Sequence, residues 1–430
     1  MKIEEASTEE LQEKLQELRK EYQHFCDQHL SLNIARGFPS TEQLDMNSEI
    51  FHNVDETNCF AEDGTDCRQY GVKYGLPELI RLFSELLHIP EEEIIIGGES
   101  SLNFMYDQIM RLYAFGVLGE KPWAEQKLEH RLKWLCPVPG YDCHFNLTEA
   151  LGFEMINIPL LPTGPDMDLV ESLVKSDPTI KGIWCVPQYS NPTGDVYSDE
   201  TVDRLAHLKT AARDFVIVWD NAYCVHHLFA VHEVKDILKE AATEGLDDRI
   251  LYFASTAKIT FPGSGVSMMA SGPKMVEWTK EKMVLQLFSH DKINQLRHVR
   301  LLKSADHVRE HMKEVAAVLR PKFTLVDDIL REKRSYDEMY TWVRPDGGYF
   351  ITVDTYPHCA AKTLQMTQDA GVNIWTPGAT YPYHHDPNDT NVRLAPTFPD
   401  LDTLRTAISL FCVCANICGI EKVLEERSNG

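Results

Sequence analysis

The segment Ser255-Thr256-Ala257-Lys258 sets one lysine among small and hydroxyl-bearing residues, with Gly263 and Gly265 following. Three chemistries fit. Lys258 is a solvated loop cation, or the partner of Ser255 in an S-x-x-K acyl-enzyme motif, or an amine that bonds covalently to a cofactor. Other reactive residue types stand in comparable places, each just after a short apolar run. Gly97-Gly98-Glu99-Ser100-Ser101 follows "EIII" and opens a helical pattern. Its hydroxyls and N–H groups can receive a phosphate or simply cap the helix. Asn191 follows "GIWCVP" and precedes Pro192, which holds it extended. Asp220 ends "FVIVWD"; a buried carboxylate there needs a cation or donor opposite, unless it is a helix N-cap. Tyr223, three residues on, can place a phenol in the same crevice. Arg393 lies in the strand-like "NVRLAP", and a buried guanidinium calls for an anion such as a carboxylate held bidentately.

The elements that must position these residues follow from the apolar pattern. From about residue 90, buried-looking runs of four to eight residues ("EIII", "KWLCP", "FEMINIP", "GIWCVP", "FVIVWD", "ILYFAS", "GVSMMAS") alternate with amphipathic helical stretches. That pattern predicts a mostly parallel sheet covered by helices on both faces. Ligands of such sheets bind beyond the carboxyl ends of the strands, where the candidates stand. From about residue 300 the pattern changes to an α+β one. The expected division is an N-terminal helix and arm over 1–55 joining a small C-terminal domain over 301–430, with a large domain over 56–300. Leu11, Leu15 and Leu18 give the arm a helical apolar stripe. The charged stretch at 120–133 reads as a surface insertion.

The 430 residues carry a net charge of -24. This disfavours nucleic acid and anionic membrane surfaces as partners, while a local pocket can still be basic and hold a small anion. The start lacks the apolar core of a secretory signal, and the longest apolar run, "ISLFCVCANICGI", is short for a membrane span. A cytoplasmic location is expected. Eleven cysteines, an odd number without framework spacing, fit reduced thiols. Cys412, Cys414 and Cys418 read as core packing rather than a metal site, and the pairs His226-His227 and His384-His385 are poorly disposed to share a metal. No metal is expected.

Taken together, "LNIARGFPS", "RQYGVKYGLPELI", "GGESSLNFMYD", "PVPGYD", "SNPTG", "DNAY", "STAK", "GGYFI", "TPGATY" and "NVRLAP" resemble the class I/II aminotransferases of pyridoxal-phosphate fold type I. The likeness runs from about residue 32 to 415 and is strongest to a divergent branch of aspartate aminotransferases. It implies a seven-stranded, mostly parallel sheet plus a smaller α+β domain, with pyridoxal 5'-phosphate as cofactor. By position, Lys258 forms the Schiff base and then shuttles a proton, and Asp220 pairs with the pyridine nitrogen. Tyr223 and Asn191 bond the ring's phenolic oxygen, Tyr141 stacks on the ring, and Ser100, Ser101 and Ser255 hold the phosphate. Arg393 clamps the substrate α-carboxylate beside Asn191 and Gly37. Tyr70 reaches the phosphate of a neighbouring subunit, which implies a homodimer with shared active sites. The implied reaction is a ping-pong exchange between an amino acid, aspartate or another acidic or small one, and a 2-oxo acid.

Two positions depart from the family pattern. No arginine or lysine lies between Lys258 and Lys274, where relatives place a phosphate-binding cation. The cation for a distal substrate carboxylate has no clear counterpart, and Lys292, Arg297, Arg36 and Arg68 are the candidates. Alternatives on the same fold are an aromatic, 2-aminoadipate or alanine aminotransferase, or a lyase. A ligand-sensing regulator would need a basic helix-turn-helix ahead of "LNIARG", and the stretch there is acidic. The acyl-enzyme reading requires S-x-x-K before Y-x-N and a following K-T-G; here "YSN" precedes "STAK", and K-T-G is absent.

Overall fold

The computed structural model describes residues 2–429. Its centre is an eight-stranded sheet with the order Ile94–Ile96, Ser267–Ala270, Ile250–Ser255, Val216–Asp220, Ile180–Cys185, Lys133–Val138, Glu154–Leu161, Gly164–Pro165. All pairs are parallel except those made by Ser267–Ala270 and by Gly164–Pro165. Seven strands match the apolar runs. The eighth has two residues and folds back on Leu160 and Leu161, too short to leave a pattern in the sequence.

Every residue of Ile180–Cys185, Val216–Asp220 and Ile250–Ser255 is buried. Helices cover both faces, so these strands read as continuous apolar runs without alternation. Glu154–Leu161, near the sheet's edge, mixes buried and exposed positions. The 120–133 stretch is not wholly superficial. Trp123 is fully buried, and its Nε1 donates to Asp214 Oδ2 (2.9 Å). Asp214 in turn accepts from Lys181 Nζ (2.8 Å), so this insertion anchors the start of the strand that leads to Asn191.

The C-terminal region forms a three-stranded antiparallel sheet with Ile351–Thr355 between Tyr340–Trp342 and Asn391–Leu394. The N-terminal helix Thr8–Asp27, closed by a Ser7–Glu10 capping box, buries Leu11, Leu15 and Leu18 and packs on the helix Leu401–Asn429. Leu32–Asn33 then pairs with Val372–Asn373. Helix Leu401–Asn429 is long and apolar enough to cross a membrane, yet 83% of its most apolar window is buried inside the protein, which makes it a core helix. Cys412, Cys414 and Cys418 lie in that packing.

Helix Ala305–Lys333 spans 29 residues with Pro321 inside it. Ahead of Pro321, His311 Nε2 lies 3.2 Å from Ile259 O. Beyond it, Leu330 O accepts from Tyr340 Oη (3.0 Å), and Lys333 O accepts from Asn416 Nδ2 (2.8 Å). The helix thus touches the lysine-bearing loop at one end and the C-terminal elements at the other.

Candidate active site

Asp220 and Ser255 are the last residues of two adjacent parallel strands, and Asn221 N donates to Phe253 O (2.9 Å) across that edge. Tyr141 follows the strand Lys133–Val138 and stands at the N-terminus of the helix Asp142–Ala150. Ser100 caps the helix Ser101–Phe115, its Oγ accepting from Asn103 N (3.3 Å). These ends open on one cavity of about 520 Å³. Ser100, Ser101, Tyr141, Asn191, Asp220, Tyr223, Ser255 and Lys258 line it with Gly37 and Arg393. Of the expected site residues, Tyr70 alone is elsewhere: it is 82% exposed and lies 5.5 Å from the Phe288 ring.

Lys258 Nζ sits 5.1 Å from the centre of the Tyr223 ring and, among the described residues, has no hydrogen-bond partner. Burial pushes its amine below the ordinary lysine range; Asp220 opposes the shift and Arg393 adds to it. Such an amine is more often neutral, which is the nucleophilic form. Burial, and then Asp220, push the Tyr223 phenol up, so it remains protonated as a donor.

Asp220 Oδ2 approaches His144 Nε2 at 3.2 Å, but without hydrogen-bond alignment. Among the described residues Asp220 Oδ1 is buried with no partner, although burial ordinarily demands one. His144 stacks on Trp184 at 4.2 Å with 6° between the planes and meets Tyr141 edge-on at 5.0 Å. Sequence reading missed His144. The available signal was its spacing three residues after Tyr141, which puts both on one helix face.

Arg393 is the second buried cation. Its guanidinium carbon lies 3.4 Å from the Trp375 ring centre and 4.3 Å from that of Phe350. Nη1 donates to Asn191 Oδ1 (3.2 Å) and stands 4.0 Å from Asp142 Oδ1, and Nη2 reaches Ala35 O (3.5 Å). Nε is buried without an acceptor among the described residues. Burial lowers the guanidinium's proton affinity, with Asp142 opposing. Because Asn191 Oδ1 faces Arg393, its Nδ2 is left as the donor toward the cavity. Phe350 also explains Gly37: a Cβ there would stand 2.5 Å from the Phe350 ring. Phe350, Trp375, Asp142 and Cys143, which also lines the cavity, carried no role in the sequence reading.

The loop after Lys258 is held by neutral groups. Val266 N donates to Thr256 Oγ1 (3.0 Å), and Asn294 Nδ2 donates to Ser264 O and Gly265 O. A Cβ on Gly265 would meet Glu99 O at 2.6 Å, so this glycine lets two loops touch backbone to backbone, whereas Gly263 faces open space. Pro262 lines the cavity, and Lys274 pairs with Asp248. Arg68 is engaged by Asp66 through two bonds, and Lys292 Nζ donates to Gln69 O (2.5 Å) and Ser289 Oγ (3.1 Å). Arg297 does not line the cavity, but Arg36 does.

A parallel sheet with a lysine, an aspartate, a phenol and a helix N-terminus at its carboxyl edge defines a pyridoxal-phosphate enzyme of fold type I. The chain matches the aspartate amino-transferase family over residues 6–427 and belongs to it. It is 38% identical over 408 residues to an aspartate aminotransferase of Corynebacterium glutamicum, covering 94% of each chain. A solved structure of an aspartate transaminase from that organism superposes with a TM-score of 0.95 at 37% identity, covering 98% of this chain and 99% of the other. A Thermus thermophilus aspartate aminotransferase shares the fold at 18% identity, with a TM-score of 0.68 and coverage of 95% and 96%. The protein is an aminotransferase.

Replacing Trp375 by leucine removes one aromatic face from the buried guanidinium, a contact worth about 2 kcal/mol when desolvated. If Arg393 is the substrate-carboxylate clamp that the family resemblance implies, the expected outcome is an increase of about tenfold or more in KM for the amino acid with a smaller change in kcat, read from steady-state kinetics.

Proposed function

We propose that this site exchanges an amino group between an acidic amino acid and a 2-oxo acid, with pyridoxal phosphate seated between Asp220 and Lys258. The observation that carries the reading is Asp220 Oδ1, buried and unpartnered in the same cavity as an unpaired lysine amine. A protonated ring nitrogen would supply the missing donor. Tyr223 Oη and Asn191 Nδ2 would serve the phenolic oxygen, and Tyr141 would cover the ring. Ser100, Ser101, Ser255 and the N-terminus of the helix Ser101–Phe115 receive the phosphate, whose charge leans on N–H groups and hydroxyls where relatives supply a cation.

When bound, pyridoxal phosphate supplies the covalent carbonyl and the electron sink. Arg393 fixes the α-carboxylate, Nε being its free donor, and so orients the Cα–H bond toward Lys258. Lys258 Nζ, whose burial disfavours its charged form, would accept the Cα proton and return it to the cofactor's C4′ carbon. Asp142 and Asp220 line a cavity that also holds Arg36, Lys258 and Arg393, so the cavity, unlike the chain as a whole, has no excess of acidic groups. Arg36 is the one distal-carboxylate candidate that lines this cavity, which supports a dicarboxylic substrate such as aspartate.

The reading also divides the chain into a cofactor-binding region over 56–300 and a smaller region made by 301–430 with the arm 1–55. The cysteines are all free thiols, as a cytoplasmic protein requires. Tyr70, Phe288 and Leu285 are exposed by 82%, 68% and 69%; such an apolar patch suits a subunit interface that carries Tyr70 into a second copy's site.

Three measurements test this. Wild-type protein should develop the visible absorbance of a Schiff base on titration with pyridoxal phosphate, and borohydride should fix the cofactor on Lys258. Lys258→Ala should show neither; an unaltered spectrum in that variant would overturn the assignment. Arg36→Met should reduce kcat/KM for aspartate by about 10–100-fold, the worth of a hydrogen bond to a charged group, while changing that for alanine less than about threefold. Equal losses for both substrates would remove Arg36 from the distal site. Phe288→Glu should convert a dimer into monomers by sedimentation velocity and weaken cofactor retention; a monomeric wild type would refute the shared site.

A further inference from the structure

The turn after strand Val216–Asp220 faces two cavities. Asp220, Ala222 and Tyr223 line the one that holds Lys258, whereas Asn221, Cys224 and Val225 line a second cavity of about 460 Å³. The two share no lining residue. The second is bounded by the end of the helix Pro77–Leu87, the 224–234 segment, Tyr252 and one side of the helix Ala305–Lys333. Its size is that of a site for a small organic molecule.

The lining has three chemical parts. The wall is apolar, with Leu86, Val225, Leu228, Phe229, Val234 and Met312. Asn221, 6% exposed, contributes a polar group to it: Nδ2 donates to Tyr252 Oη (2.7 Å), and Oδ1 is buried with no partner. Arg309, Lys313 and Arg320 supply three cations against one acid, Glu233. Arg309 and Lys313 already meet Asp306 (2.9 Å) and Glu310 (2.6 Å) at exposed positions, where pairing is weak and exchangeable. An apolar body with a hydrogen-bond donor at one end and a carboxylate at the other satisfies all three parts.

We infer that this cavity is a second ligand site, for an arylalkanoic acid bearing a ring N–H or O–H, and that its occupant alters turnover through the Asn221–Cys224 side of the turn that carries Asp220 and Tyr223. The donor meets Asn221 Oδ1, the ring packs on the aliphatic wall and the Met312 sulfur, and the carboxylate meets the arginine and lysine side chains. Binding here does not depend on the amino-transfer assignment, so the two can fail separately.

The probe is 3-indolepropionate, titrated into the cofactor-loaded enzyme by calorimetry with and without saturating maleate, and in parallel into the activity assay. The expected result is saturable binding of one molecule per chain that maleate does not displace, with a change in kcat of at least twofold. The double variant Arg309→Glu, Lys313→Glu, altered only at partly exposed surface positions, should weaken that binding at least tenfold while keeping the basal kcat. Met312→Trp, which fills the cavity from the helix, should abolish it, and unchanged circular dichroism would confirm folding. Absence of binding at millimolar probe, displacement by maleate, equal affinity in the charge-reversed variant, or binding without any change in kcat would each overturn the inference.

Discussion

Burying Arg393 sets terms that distant parts of the chain must meet. A guanidinium removed from water needs acceptors and polarizable faces on every side. Ala35 and Asn191 provide the acceptors, Asp142 the opposing charge, and Phe350 and Trp375 the two faces. These residues come from the N-terminal arm, the ends of the central sheet and the C-terminal elements. One cation therefore ties together segments that share no strand, and on the proposed reading its Nε, unpartnered among the described residues, is the donor left for a substrate.

The second cation depends on the first. Lys258 and Arg393 share a cavity, and each raises the cost of charging the other. Arginine holds its proton far more firmly than lysine, so the amine is the group that yields. The aspartates restrain this without cancelling it, Asp220 acting on Lys258 and Asp142 on Arg393. On the proposed reading, substrate recognition and amine reactivity are thus two outcomes of one charge arrangement. A chain with net charge -24 can hold it because the arrangement is local and buried.

Much of this was legible in the residue order. Lys258, Asp220, Asn191 and Ser100 each follow an apolar run, and a parallel sheet gathers the ends of such runs on one edge. Arg393 betrayed itself as a cation between apolar neighbours. Contacts made across long separations left no such trace. Trp375 and Phe350 looked like ordinary core aromatics because nothing local marks the guanidinium between them. His144 lay in a helix whose phase alone relates it to Tyr141. Trp123 was hidden by charged neighbours, since its partners, Asp214 and through it Lys181, lie far along the chain. Gly265, where a Cβ would meet Glu99 O at 2.6 Å, makes a close backbone approach that its own neighbours in the sequence do not mark.

Pro321 has a mechanical meaning. Proline leaves the carbonyl four residues earlier, that of Ala317, without its helical donor and weakens the rod at that point. On one side of the joint the helix Ala305–Lys333 touches Ile259, directly after Lys258. On the other it is fastened to Tyr340, whose strand belongs to the sheet that carries Arg393. The joint therefore falls between the contact beside Lys258 and the contacts of the sheet that carries Arg393, so each half of the rod is held by its own set of partners.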